Sequence, residues 1–221
     1  FSINCHSSIR WGGAMTVWFD PFRVEKTTGD GDVIFITHDH YDHFSPEDIR
    51  RVMKPDAVLV LPESCRAAAL AAGFSASQLL PVRAGEHYTV KGILFTVVPA
   101  YNIGKPFHPQ ANGWVGYVAE LDGLRVYVSG DTDDTPEARA VSCDAAFLPV
   151  GGTYTMTAAE AAALANALHV GVDYLLCDSL NTVRNDSGPD GLSRGQRYVM
   201  HEILSTLQSH LDDWNGPSAE G

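Results

Sequence analysis

Lysine is scarce in this 221-residue chain, four in all, which leaves little for local basic patches. Asp and Glu outnumber Lys and Arg 27 to 15, for a formal net charge of −12. That balance argues against a nucleic-acid partner, because phosphate backbones are held by an excess of basic side chains. Cysteine is equally sparse. Cys5, Cys65, Cys143 and Cys177 show no C-x-x-C spacing, the pattern of free thiols in a reducing cytoplasm rather than of disulfides or a thiolate metal site. No apolar run approaches the ~20 residues of a membrane span, so no membrane association is expected. A secretory signal pattern is also missing, in a sequence that opens on Phe1 rather than Met, and the expected location is the cytoplasm. Neither a Gly-x-Ser-x-Gly nor a Cys/His pairing points to a covalent nucleophile. What is present is ordinary for a globular domain: 45% hydrophobic and 19% charged residues, in a chain long enough for one layered core.

Apolar patterning predicts strands over 15–19, 33–37, 57–61 and 145–150. Two hairpins are expected, one turning at Lys91-Gly92 and one pairing 114–121 with 124–129 across Asp122-Gly123, a strong two-residue turn signal. Ser45-Pro46-Glu47-Asp48 reads as a helix start closed by a capping box at Asp48, and Thr157 with Glu160 as another, opening a helix that runs to about His169. An alanine-rich helix is expected from Glu63 to Ala72, stopped by Gly73. Strands with interspersed helices and central hairpins fit two mixed sheets packed face to face with helices outside, better than one parallel sheet. Residues 181–195 read as loop, and 197–214 carry apolar residues at helical spacing.

The densest chemistry lies in Thr37-His38-Asp39-His40-Tyr41-Asp42-His43, an H-x-H-x-D-H cluster directly after the strand Val33-Ile34-Phe35-Ile36. Imidazole nitrogen and carboxylate oxygen in such a loop suit zinc or another borderline first-row metal, and the loop can serve two ions. His38 and His40 would face one, Asp42 and His43 the other.

With Asp20-Pro21-Phe22, Pro99-Ala100-Tyr101-Asn102, Gly113-Trp114-Val115-Gly116-Tyr117, Ser129-Gly130-Asp131-Thr132-Asp133 and Leu148 to Glu160, this loop resembles the metallo-β-lactamase superfamily. The likeness is to the branch that contains L-ascorbate-6-phosphate lactonase and metal-dependent hydrolases. It implies an αββα sandwich, α/β in class, over residues 1–169, with 170–221 as a divergent C-terminal segment. Carried over residue by residue, it makes His38, His40, Asp42 and His43 ligands and Asp131 a carboxylate bridging two ions. Asp20 becomes a carboxylate that fixes the ligand loop. Where relatives have a histidine after Pro-Ala-Trp this chain has Asn102, so His108 is the substitute ligand, with Asn102 and His6 at the pocket. The Met-His-Tyr-Gly-like turn that completes the second metal in relatives is missing. Two accounts are open: a divergent cap with Asp178, His169 or His201 as the missing ligand, or a frameshift in the coding sequence.

The implied function is metal-dependent hydrolysis of a small anionic ester or lactone by a metal-activated water, with Asp42 taking the proton. One or two divalent ions would serve, zinc foremost, manganese or iron as alternatives. A small-molecule substrate is the expected partner, and a homo-oligomer is compatible. Competing readings are a phosphodiesterase or nuclease of the same superfamily and a non-catalytic metal-binding protein.

Overall fold

The computed structural model describes residues 1–3 and 7–170. Its strands are β1 (Ser2–Ile3), β2 (Ile9–Gly12), β3 (Thr16–Phe19), β4 (Gly31–Phe35), β5 (Met53–Pro62), β6 (Leu79–Val82), β7 (His87–Val90), β8 (Ile93–Pro99), β9 (Val115–Leu121), β10 (Leu124–Val128) and β11 (Ala145–Phe147). Four α-helices join them: α1 (Pro46–Val52), α2 (Arg66–Ala71), α3 (Pro136–Arg139) and α4 (Ala158–Ala167). One sheet runs in the order β1-β2-β3-β4-β5-β6, the other β11-β10-β9-β8-β7. Both are mixed. Strands β3 to β6 pair in parallel and β1 to β3 antiparallel, while β10 and β11 form the parallel pair of the second sheet.

Alternation along the strands builds the layers, because successive side chains leave a strand on opposite faces. Val17, Phe19, Val33, Phe35 and Val60 point inward from the first sheet and meet Phe95, Val97, Tyr117, Val126 and Val128 of the second. The intervening Trp18, Ile34, Ile36, Leu59 and Leu61 point outward and pack under α1 and α2 through Ile49, Val52 and Ala69. On the far face of the second sheet, Val98 and Tyr127 lie under α3 and α4 through Ala138, Ala161 and Leu164. Three apolar clusters thus separate four layers, an αββα sandwich. Each fully buried aliphatic or aromatic side chain contributes roughly 1.5–3 kcal/mol to it.

Local readings hold at most elements and fail at a few. Both hairpins turn on two residues, Lys91-Gly92 and Asp122-Gly123, all four with positive φ. The α4 capping box forms between Thr157 and Glu160. At α1, Ser45 caps as expected, but Asp48 does not complete a box. Its carboxylate instead accepts the Ser45 hydroxyl at 2.7 Å and the backbone N–H groups of Arg23 and Val24 at 3.0 Å each. An aspartate is one methylene shorter than the glutamate a box uses. The strand expected over 145–150 stops at Phe147, ahead of Pro149, which has no N–H for a ladder. Strand β5 begins at Met53, earlier than expected, and its pairing with β4 shifts register between Gly31 and Val33. Strands β1, β2 and β6 and helix α3 carry too little periodicity to be read locally. Residues 181–195 and 197–214 lie outside the described residues. Among the described residues no helix is long and apolar enough to cross a membrane, and the described cysteines, Cys65 and Cys143, are free thiols.

Candidate metal centre

Four loops meet at one end of the sandwich: 36–45 after β4, 100–114 between β8 and β9, 129–135 after β10, and 148–157 after β11. The first is pinned to both sheets. Ile36 N–H donates to the Val60 carbonyl at 2.8 Å, the Tyr117 hydroxyl donates to the Ile36 carbonyl at 2.6 Å, and Val115 N–H donates to Thr37 O at 3.1 Å. The amides of His43 and Phe44 then donate back to His40 O, closing the ligand loop before α1.

Asp20 organises that loop from below. Its backbone has φ +42, tolerated by Asp, and its fully buried carboxylate accepts from Thr37 N–H at 2.8 Å, the Thr37 hydroxyl at 2.6 Å and His43 Nδ1 at 2.8 Å. Burial raises the Asp20 carboxyl, with His43 and Thr37 pulling the other way. With Nδ1 occupied, His43 presents Nε2 to the centre, 3.5 Å from Asp131 Oδ1 and 3.9 Å from Asp42 Oδ2. Burial lowers the His43 imidazolium, but Asp131, Asp20 and Asp42 outweigh it and bring it up to about 9.

Gly130 lets the Asp131 loop approach. It has φ +63, and a Cβ there would stand 2.9 Å from both Thr37 Cβ and the Val115 carbonyl oxygen. Asp131 therefore faces three imidazoles, with Oδ2 at 3.2 Å from His108 Nε2 and 4.0 Å from His38 Nε2. Burial would raise its carboxyl; His43, His108 and His38 more than offset that and hold it far below the usual carboxylate range. His38, by contrast, is pushed well down by burial and by the charge of His43. Its Nε2 lies 3.0 Å from His40 Nδ1.

His108, six residues past Asn102, enters the same centre. Asn102 Oδ1 accepts from the His108 backbone N–H at 2.9 Å and lies 3.0 Å from its Nδ1, while the Tyr154 carbonyl is 3.2 Å from Nδ1 and accepts the Asn102 amide at 3.0 Å. Two acceptors at Nδ1 select the tautomer with the proton there, leaving a lone pair on Nε2. That buried Nε2 makes no hydrogen bond to a protein group, although Asp131 is near. A buried, unpaired imidazole nitrogen is costly unless a ligand takes its lone pair.

Two sets of donors emerge, His38 with His40 and His108, and His38 with His43 and Asp131, each with ligand atoms within 4.8 Å of one another. Nitrogen and oxygen donors at this spacing fit a first-row divalent ion. Asp42, expected as a ligand beside His43, belongs to neither set and lines the adjoining cavity. His6 lies outside the described residues, as do Asp178 and His201. His169 is exposed at the end of α4, with φ +57, and does not line the cavity. Trp114, expected at the start of the second hairpin and in one of the matching segments, precedes β9; it is buried and packs on the rings of His40, His38 and His108 at 4.6, 5.0 and 5.5 Å. The Thr37 hydroxyl and the Tyr154 carbonyl carried no local signal at all.

A four-layer αββα sandwich with a histidine and aspartate centre at the loop end of its sheets defines a metallo-β-lactamase fold. The family profile described as Beta-lactamase superfamily domain matches residues 3–172, and the chain belongs to that family. A UPF0173 metal-dependent hydrolase of Methanosphaerula palustris is 28% identical over 187 residues, spanning 80% of this chain and 81% of the relative. One from Korarchaeum cryptofilum is 30% identical over 172 residues, 71% of this chain and 72% of the relative. Among solved structures, a Parabacteroides distasonis protein described as a metal-dependent hydrolase is 33% identical, with a TM-score of 0.65 over 74% of each chain.

Proposed function

We propose that this chain is a metal-dependent hydrolase acting on a small ester or lactone, with His38, His40, His43, His108 and Asp131 holding one or two divalent ions. Zinc suits this donor set first, and manganese or iron can occupy the same nitrogen and oxygen ligands. The single observation that carries the reading is the unpaired Nε2 of His108, buried and held toward Asp131 by Asn102 and the Tyr154 carbonyl. Family membership and the metal-dependent hydrolases among its relatives support it.

When bound, a divalent ion supplies an acidified water, with a pKa brought from ~15.7 toward ~7, and stabilises charge developing on the substrate oxygen. The chain does the rest. Asp20 fixes His43 through Nδ1, and Asn102 fixes His108 through Nδ1, so both rings present Nε2 without rotating. Asp131 balances the cluster of imidazoles. Asp42, on the cavity wall beside His43, is the carboxylate assigned to take the proton from the attacking water at Oδ2.

Among the described residues lining the cavity there is no lysine or arginine. Nearby Lys105 is engaged with Asp133 at 2.7 Å and the Thr155 carbonyl at 2.5 Å. An anionic group on the substrate would therefore be met by the divalent ions themselves.

Elemental analysis of the purified protein, followed by a panel of lactones, carboxylic esters and phosphodiesters, tests the assignment. One or two ions per chain and cleavage of the first two classes are expected. Full activity in a metal-free preparation overturns it, and bound metal without turnover of any panel member moves the protein to a non-catalytic metal-binding role.

A further inference from the structure

The cavity beside the centre has a volume of about 510 Å³, within the range of small-molecule sites. Its chemistry is divided. His40, Asp42, His43, His108 and Asp131 cluster at one end, whereas Ile9, Val128, Phe147, Leu148, Pro149 and Val150 form apolar wall. Three exposed aromatics line the cavity, Tyr41, Phe107 and Tyr154, and the last two form an edge-to-face pair with ring centroids 4.7 Å apart. They are 37% and 55% exposed, and both face the cavity.

That pair is built into the centre. Phe107 directly precedes His108, and Tyr154 uses its backbone carbonyl to hold His108 Nδ1 and the Asn102 amide. The Tyr154 side chain is not needed for those bonds. Its ring packs on Phe107 and is left exposed to meet whatever enters. A pair of exposed aromatic rings lining a mixed cavity offers area and quadrupole contact to a planar or chain-like apolar group.

We propose that Phe107 and Tyr154 are specificity-determining residues that grip the apolar acyl part of the substrate. The substrate class is then an ester or lactone whose acyl group carries an aryl or alkyl tail. The scissile carbonyl sits at the His108–Asp131 end and the tail lies along the wall beneath the two rings. This inference rests on the hydrolase reading for its reaction, although the binding it describes can be measured without turnover.

The test uses two carboxylates with the same head group, 4-phenylbutyrate and acetate, titrated calorimetrically into the full-length, zinc-loaded protein. They stand for hydrolysis products with and without a tail. Phenylbutyrate is expected to bind about tenfold or more tighter than acetate, from burial of its tail. In Phe107→Ala and in Tyr154→Ala the advantage should fall to about threefold or less, because each removes one face of the grip. Zinc content by elemental analysis should stay unchanged in Tyr154→Ala, which keeps its carbonyl. No preference for the tail in the parent protein, or an undiminished preference in both variants, overturns the proposal. Equal kcat/KM for phenylbutyrate and acetate esters would also overturn it while leaving the hydrolase reading intact. A tail preference that disappears in the variants, in a protein that cleaves no ester, supports the grip and removes the hydrolase reading instead.

Discussion

Asn102 Oδ1 meets His108 twice, accepting its backbone N–H at 2.9 Å and lying 3.0 Å from its Nδ1. Asn102 thus orients His108, six residues further on, a member of one of the two donor sets. Asn102→Ala should leave Nδ1 with the Tyr154 carbonyl alone. Zinc affinity, measured by competition with a chelator, is expected to fall about 10- to 100-fold, as when a ligand-orienting group is removed. Unchanged affinity would show that Tyr154 suffices.

Substitutions at His40 and Asp42 are expected to separate metal binding from proton transfer. His40 belongs to one donor set and Asp42 to neither. His40→Ala should lower metal content and hydrolysis together. Asp42→Ala should keep its metal and lose on the order of 10²–10⁴ in kcat, the usual contribution of a positioned acid or base. Metal loss in Asp42→Ala, followed by elemental analysis, would make it a ligand rather than a base.

At Gly130 the loop after β10 packs directly on Thr37 of the ligand loop. Gly130→Ala would press a methyl group to 2.9 Å from Thr37 Cβ and the Val115 carbonyl, at a φ of +63 that side chains rarely adopt. Urea unfolding should register a loss of about 1–3 kcal/mol, and displacement of Asp131 should lower metal affinity as well. Parent-like stability would mean that the loop gives way freely.

Acid sensitivity is expected from Asp30 and Asp32, at the start of β4, the end of that strand away from the ligand loop. Partial burial raises the Asp30 carboxyl, but hydrogen bonds from Thr28, Arg10 and Trp18 outweigh it and leave it below the ordinary 3.8. Asp32 is raised by burial and lowered further by Lys54 and the Thr16 N–H. A depressed folded-state pKa stabilises the fold above the unfolded value and loses that contribution as pH falls through the folded one. Asp30→Asn should therefore cost about 1 kcal/mol at pH 7 and distinctly less at pH 3. Equal costs at the two pH values, from urea curves, would remove the ionic origin.

Much of the architecture was legible because it is local. The unbroken apolar run Val33, Ile34, Phe35 and Ile36 marks a strand buried on both faces, and the positive-φ turns at Lys91-Gly92 and Asp122-Gly123 need only two residues to declare themselves. Short edge strands such as β1 and β6 escaped because two to four residues hold too little pattern, and are kept extended by their neighbours rather than by propensity. The three imidazoles of the H-x-H-x-D-H loop stand within six residues of each other, so their clustering also needs no long-range information.

What sequence alone determined, then, is the two-sheet layering and the existence of a donor-rich loop at a strand end, since both follow from side-chain periodicity and nearest neighbours. His108 and Asp131 were named for that loop only through resemblance; tertiary structure showed them facing it, with Asn102 and the carbonyl of Tyr154 at His108 Nδ1 and Asp42 at the cavity wall. Those relations depend on how closely two separate sheets can pack, down to the missing Cβ of Gly130, and no spacing along the chain encodes that distance.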